Sequence, residues 1–323
     1  MKKNIVGKAF SLLVTILLVS NSIGIASATP DKAEENGYWT LAKMKTAHPF
    51  EMQFDSKTHL GKREVIQNAK KQPPPSDAVT GSPWTQSGLA QSATGKVFFT
   101  MGIINYVCSG ALVKETDTAR SIVLTAGHCV YDPKTGIADN WMFVPDYDAL
   151  QLSPFSSCDE EDGCWYADKL LAHTGFTDEL GFTDTATMYD WGFAVIQSDG
   201  ATPLPDKDGA NAFTLDESGL SENSQGYSFG YPAAGKYRGS DLIYCKGNVF
   251  SDSKNNDATW GMVCDMTGGS SGGPWLSDFV AGDGKLSSLN SYKYTNDRRR
   301  MYGPKFDSNT RDTFEEALAW SNP

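Results

Sequence analysis

From about Lys96 onward, apolar residues fall in short runs or alternate with polar ones. The runs are Val97–Met101, Tyr106–Val113, Ser121–Ala126, Trp141–Val144, Phe193–Ile196, Ser228–Tyr231, Leu242–Cys245 and Leu286–Tyr292. Gly, Pro, Asn and Asp punctuate them. Many short strands with few helical stretches predict an all-β chain, either a sandwich or a pair of barrels. About 240 residues suffice for two fused barrels. One helix is expected, over Asp312–Trp320, where Phe314, Leu318 and Ala319 recur at helical spacing. No internal repeat interrupts this pattern.

The chain before Lys96 reads differently. Lys2, Lys3 and Lys8 precede an apolar run, Leu12–Val19, and the small residues Ala26-Ser27-Ala28 follow. This order predicts a secretory signal peptide over residues 1–28, cut after Ala28. The run is too short for a membrane span, which needs about 20 apolar residues. Residues 29–81 carry no cysteine and hold Lys70-Lys71-Gln72-Pro73-Pro74-Pro75. Consecutive prolines favour an extended linker. Residues 29–81 are therefore expected to be a propeptide and linker, cut somewhere in 80–95, with 82–323 as the functional domain. An ordinary N-terminal extension is the competing reading.

Charge and cysteines narrow the class. The formal charge is −11. Residues 29–81 are near neutral, with eight basic and seven acidic residues, so the acidity belongs to 82–323, with 17 basic and 32 acidic. Such a surface repels nucleic acid and anionic membranes, and neither is an expected partner. All six cysteines follow the signal segment, and an even count in an exported chain points to disulfides. No Cys-x-x-Cys or His-x-x-x-His spacing supports a zinc site. No metal or cofactor is expected.

Histidine scarcity organises the chemistry. Of His48, His59, His128 and His173, only the last two remain if 29–81 is removed. His128 stands in Thr125-Ala126-Gly127-His128-Cys129 after an apolar run, whereas His173 has no nucleophile-like neighbour. Gly268-Gly269-Ser270-Ser271-Gly272-Gly273-Pro274 places a serine in a glycine-rich bend. A hydroxyl needs a positioned base to become a nucleophile, and such a bend lets N–H groups converge on developing negative charge. Asp190, ahead of the apolar run Trp191–Ile196, is the candidate to orient the imidazole, with Asp184 its rival. The order His128, Asp190, Ser271 differs from the subtilisin order. No histidine follows the serine, as the α/β-hydrolase elbow would require.

These two motifs, together with Cys108-Ser109-Gly110-Ala111-Leu112-Val113, Gly95-Lys96-Val97-Phe98-Phe99 and Gly230-Tyr231-Pro232, resemble chymotrypsin-fold serine peptidases. The likeness spans roughly residues 95–305 and is nearest the secreted bacterial branch that includes glutamyl endopeptidases. It implies two six-stranded antiparallel β-barrels and a secreted, monomeric endopeptidase acting on protein or peptide substrates. The implied nucleophile is Ser271, with His128 as base and Asp190 orienting it. Gly269 and Ser271 would supply oxyanion N–H groups. The implied disulfides are Cys108–Cys129, Cys158–Cys164 and Cys245–Cys264, the first worth about 3 kcal/mol by loop closure. The turn Asp159-Glu160-Glu161-Asp162 reads as solvated rather than calcium-binding.

The pattern breaks in two places. Ser270 stands where animal peptidases carry an aspartate that pairs with a new N-terminal amine on activation, so the propeptide is left to inhibit by covering the site or to assist folding. For specificity, Asp265 lies six positions before Ser271 and suggests basic substrate side chains. The pocket wall Leu289-Asn290-Ser291-Tyr292 lacks the histidine of glutamyl endopeptidases and makes Asn290 and Ser291 the candidate substrate contacts. Arg298-Arg299-Arg300 reads as a solvated charge run. A member of the fold that has lost catalysis and serves as a binding protein is the alternative function, and an esterase would share the same chemistry.

Overall fold

The structure is a computed structural model that describes residues 24–28, 37–63, 77–115, 120–150, 157–196, 204–205 and 211–321. The apolar run of the expected signal segment and the proline run 73–75 lie outside them. Six strands form the first unit: β1 (Thr94–Met101), β2 (Ile104–Val113), β3 (Ile122–Thr125), β4 (Asp139–Pro145), β5 (Trp165–His173) and β6 (Gly192–Ile196). They pair antiparallel in the order β5, β4, β1, β2, β3, β6, and β6 returns to β5, closing the barrel. Val97, Phe99, Leu112, Leu124 and Phe193 share its core. Each such side chain contributes about 1.5–3 kcal/mol by leaving water.

The second six are β7 (Gln225–Gly230), β8 (Ile243–Asn248), β9 (Thr259–Val263), β10 (Pro274–Val280), β11 (Asp283–Leu289) and β12 (Asp297–Pro304). These divide between two sheets: β11, β10, β7 and β8 in one, β9 and β12 in the other. A short strand, Tyr292–Tyr294, pairs with β12. The fold is the expected chymotrypsin-like one, although only the first barrel closes by continuous hydrogen bonding.

Helix α1 (Ser308–Ser321) is longer than the spacing predicts. Asp307 caps it, its Oδ1 accepting from the Asn309 and Thr310 amides at 2.9 and 3.3 Å. Its inward face is Thr310, Thr313, Phe314, Ala317 and Ser321, with Ala319 exposed. Phe314 meets Phe193 of β6 at 5.6 Å between ring centres. The three disulfides join the cysteines as the family likeness implied. Among the described residues, no helix is long and apolar enough to cross a membrane.

The described parts of residues 25–83 lie against this body. Ile25–Ala28 pairs with β5 and His48–Pro49 runs parallel to β2. Met52–Asp55 runs parallel to Tyr292–Tyr294 and pairs with Leu60–Arg63. Trp39, Phe50 and Phe54 are fully buried. Val79–Pro83 pairs with β8 and crosses the boundary expected at residue 81. Trp84 follows, wedged edge-on against Phe229, Tyr244 and Phe279.

Candidate active site

His128 sits in a single 3-10 turn, Gly127–Cys129, directly after β3. The Cys108–Cys129 disulfide ties that turn to β2. Asp190 lies two residues before β6, which pairs with β3, so barrel register delivers the carboxylate to the histidine. Its Oδ1 accepts from the His128 backbone N–H and its Oδ2 contacts Nδ1, both at 2.8 Å. The Ser291 hydroxyl donates to Oδ2 at 2.5 Å. Asp190 has no exposed surface. An ionised carboxylate only accepts, so Nδ1 carries the ring proton and Nε2 keeps its lone pair. Nε2 is buried and has no hydrogen-bond partner.

Ser271 comes from the loop ahead of β10, and the two barrels hold that loop between them. The Ser109 amide of β2 donates to the Ser271 carbonyl at 2.7 Å. The Ser109 hydroxyl donates to the Gly269 carbonyl and receives the Tyr231 amide, both at 2.9 Å. Gly269 has φ +95°, which glycine alone tolerates easily. Gly272 has φ +80°, and a Cβ there would lie 2.3 Å from Thr125 Oγ1 and 2.4 Å from the Ser109 carbonyl. Gly272→Ala should therefore destabilise the fold by about 3 kcal/mol through strain and overpacking. A lowered urea midpoint at unchanged slope would measure this.

Ser271 and His128 are not bonded to each other. The Ser271 hydroxyl donates to the Phe50 carbonyl at 3.3 Å, and the Gly269 amide donates to the same oxygen at 2.9 Å. The Phe50 ring stacks on the His128 ring at 5.0 Å. The next residue, Glu51, accepts the Gly268 amide on Oε2 at 2.9 Å. Residues 48–55 thus cross the cleft where His128, Asp190, Gly269 and Ser271 meet.

The three candidate specificity residues turn elsewhere. Asp265 contacts the Lys236 ammonium at 2.8 Å and accepts the Tyr237 hydroxyl at 2.5 Å, so its charge is already engaged. Its side chain keeps 32% exposure, but the Lys236 ammonium balances its charge. Asn290 is fully buried. Its Nδ2 donates to the Phe229 and Ser270 carbonyls at 2.8 and 3.0 Å. Its Oδ1 accepts from Ser228 Oγ and Trp275 Nε1 at 2.7 and 2.8 Å. Ser291 spends its hydroxyl on Asp190.

What the cleft holds instead is Lys293, absent from the sequence-based candidates. It lies in the strand 292–294, opposite Gln53, and its ammonium is held between Cys264 and β12. Its ammonium donates to the Cys264 and Arg298 carbonyls at 2.7 and 2.8 Å. Burial lowers its pKa to about 8, with Glu51 the first of the carboxylates opposing that fall. No motif announces such a lysine. Only its place between two tyrosines, Tyr292 and Tyr294, hints at burial.

The comparisons with known proteins agree with this fold. Residues 108–282 match the family model described as a trypsin-like peptidase domain. Among solved structures, the protease Anisep from Arthrobacter nicotinovorans is 33% identical, with TM-score 0.61, and the match covers 74% of this chain and all of that one. A thermostable serine protease, AL20, from an extremophilic microorganism is 32% identical over 72% of this chain and 99% of that one, with TM-score 0.59. A Glu endopeptidase at 15% identity, covering 74% and 97% of the two chains with TM-score 0.56, shares the fold. No curated protein matches the sequence. The chain belongs to the trypsin-like peptidase family. It is a serine endopeptidase, a hydrolase whose substrates are proteins or peptides.

Proposed function

We propose that the chain is a secreted endopeptidase in which Ser271 attacks the scissile carbonyl and His128 Nε2 takes its proton. Asp190 holds the imidazole in the productive tautomer, and the Gly269 and Ser271 amides receive the oxyanion. One observation carries this reading. A peptide carbonyl, that of Phe50, rests at once on the Gly269 N–H and the Ser271 hydroxyl, so one proposed oxyanion donor and the proposed nucleophile converge on a single carbonyl. Attack forms the Ser271 ester and puts the hydroxyl proton on His128. His128 then protonates the departing amine, and water, deprotonated by the same nitrogen, releases the acid. The direct test is labelling by a serine-directed fluorophosphonate together with casein cleavage by the processed enzyme. Labelling without cleavage would favour an esterase. Loss of both would favour a catalytically silent binding protein.

Lys293 supports a preference for an acidic side chain before the scissile bond, replacing the basic preference suggested by Asp265. A buried ammonium beside the cleft attracts a carboxylate and repels a second cation. Truncating one partner of a buried, hydrogen-bonded charge pair commonly costs 2–5 kcal/mol, so Lys293→Met should erase about 100-fold of acidic preference. The pKa of Lys293 is lowered from 10.5 to about 8 with Glu51 beside it. With a substrate carboxylate in the same place, kcat should fall as pH rises through about 8 and the ammonium loses its proton, while kcat/KM, which follows the enzyme with neither Glu51 nor substrate beside Lys293, should fall at a lower pH. A neutral substrate should not show that limb, nor should Lys293→Met with either substrate. Matched peptides assayed from pH 6 to 10 measure both effects.

The domain reading carries over with one change. Residues 1–28 direct export, consistent with three disulfides, which persist in oxidising compartments. Residues 29 onward act as a propeptide. A cut within 80–95 would remove part or all of the Val79–Pro83 pairing with β8, so the mature, monomeric peptidase is proposed to begin by Asp77 instead.

A further inference from the structure

We infer that residues 48–55 are a built-in inhibitor which lies in the cleft in the opposite sense to a substrate and is therefore not cut. The inference rests on the peptidase reading above and adds how that site is kept silent.

Direction is fixed by which contact comes first along the chain. A substrate with an acidic residue before the scissile bond passes the Lys293 pocket first and Ser271 second. Here the order is reversed. The Phe50 carbonyl meets Ser271 and Gly269, then Glu51 meets Gly268 beside Lys293, and then Met52–Asp55 runs parallel to Tyr292–Tyr294. In a reversed chain, the side chain after the seated carbonyl takes the place that a substrate gives to the side chain before it. Glu51 thus occupies the acid-binding position, only 5% exposed.

The reversal blocks turnover chemically. Attack on Phe50 would bond Ser271 Oγ to its carbonyl carbon and leave the hydroxyl proton on His128. Completing the cut requires that proton to reach the Glu51 nitrogen. The Gly268 amide holds the Glu51 side chain, while the Phe50 ring stacks over His128 and shields the imidazole that must deliver the proton. The oxyanion can only collapse back, returning the proton to Ser271.

Both barrels hold the segment in place. On the first, the Phe50 amide donates to the Val107 carbonyl at 3.0 Å, and the Arg63 guanidinium covers the Phe50 ring at 4.3 Å while pairing with Asp132 at 2.7 Å. On the second, the Thr295 amide donates to the Phe54 carbonyl at 3.0 Å.

The test uses the full chain and measures the rate at which a fluorophosphonate labels Ser271. Glu51→Arg sets a cation against Lys293, and losing one charge-assisted hydrogen bond should speed labelling about tenfold. Glu51→Gln keeps an acceptor for Gly268 and should give about threefold, so the idea does not depend on one disruptive variant. Wild-type rates in both variants would overturn the inhibitor. Mass spectrometry of the incubated wild type checks the direction. Intact Phe50–Glu51 and Glu51–Met52 bonds are expected, and a new N-terminus at Met52 would mean that the segment binds in the forward sense. If no form labels and trimmed protein leaves casein uncut, the peptidase reading itself fails and takes this inference with it.

Discussion

Replacing Ser271 with alanine should lower peptide hydrolysis by about 10⁶-fold while leaving the fold unchanged, as loss of a nucleophile does in related chemistry. The backbone around Ser271 is positioned without its side chain. The Ser109 amide holds its carbonyl, and the Gly272 amide donates to the Asn290 carbonyl at 2.7 Å. The hydroxyl contacts only the Phe50 carbonyl, so alanine deletes a nucleophile and nothing structural. Ser270 cannot substitute, because its hydroxyl turns back onto the Thr267 carbonyl at 2.8 Å. Residual activity should stay about 10³–10⁴ above water, from binding and the oxyanion donors. The measurement is kcat/KM on processed enzyme alongside thermal unfolding. Activity within tenfold of the parent would remove Ser271 from the mechanism.

Asp190→Asn should cost about 10⁴-fold in kcat with little change in KM. Asp190 now accepts three hydrogen bonds: two from His128, through its amide and Nδ1, and one from the Ser291 hydroxyl. An asparagine offers one accepting oxygen and one donating nitrogen. If the oxygen stays on the backbone amide, the NH2 faces Nδ1 and takes its lone pair. The ring proton then moves to Nε2, and the imidazole can no longer accept from Ser271. The damage falls on proton transfer rather than on substrate binding, which is why kcat and KM should separate. A loss expressed mainly in KM would contradict the orienting role.

The legible parts of this chain were those written locally. A histidine after an apolar run, a serine among glycines and an acid before another run each need only their neighbours to be noticed, and so does the repeat of Phe314 in a terminal helix. Charged strands are harder to read. Asp168 and Lys169 lie inside β5, and Arg298–Arg300, expected to be a solvated run, belong to β12. Their backbones pair while the long side chains find water or packing, so polarity hides the period of two. The alternation Phe50, Met52, Phe54 is present in the sequence, but the run is short and stands among polar residues, with prolines downstream. Lys293 was the least legible, since its acceptors come from Cys264 and Arg298 and only the fold assembles them.

Asn290 has a consequence for how such an enzyme is switched on. Its amide is saturated by four protein partners, and the Gly269 amide already points at a seated carbonyl while the N-terminal segment is in place. Animal relatives, by the family pattern, complete this region with an ion pair made after cleavage. Here Ser270 stands in the place of the aspartate that makes that pair, and Asn290, which donates to the Ser270 carbonyl at 3.0 Å, has no charge to gain or lose. The entropy of ordering the nucleophile loop is spent when the full chain folds. On the proposal that this segment is an inhibitory propeptide, activation is an unmasking limited by departure of the covering strand, and pH acts on it through Lys293 rather than through the scaffold beneath it.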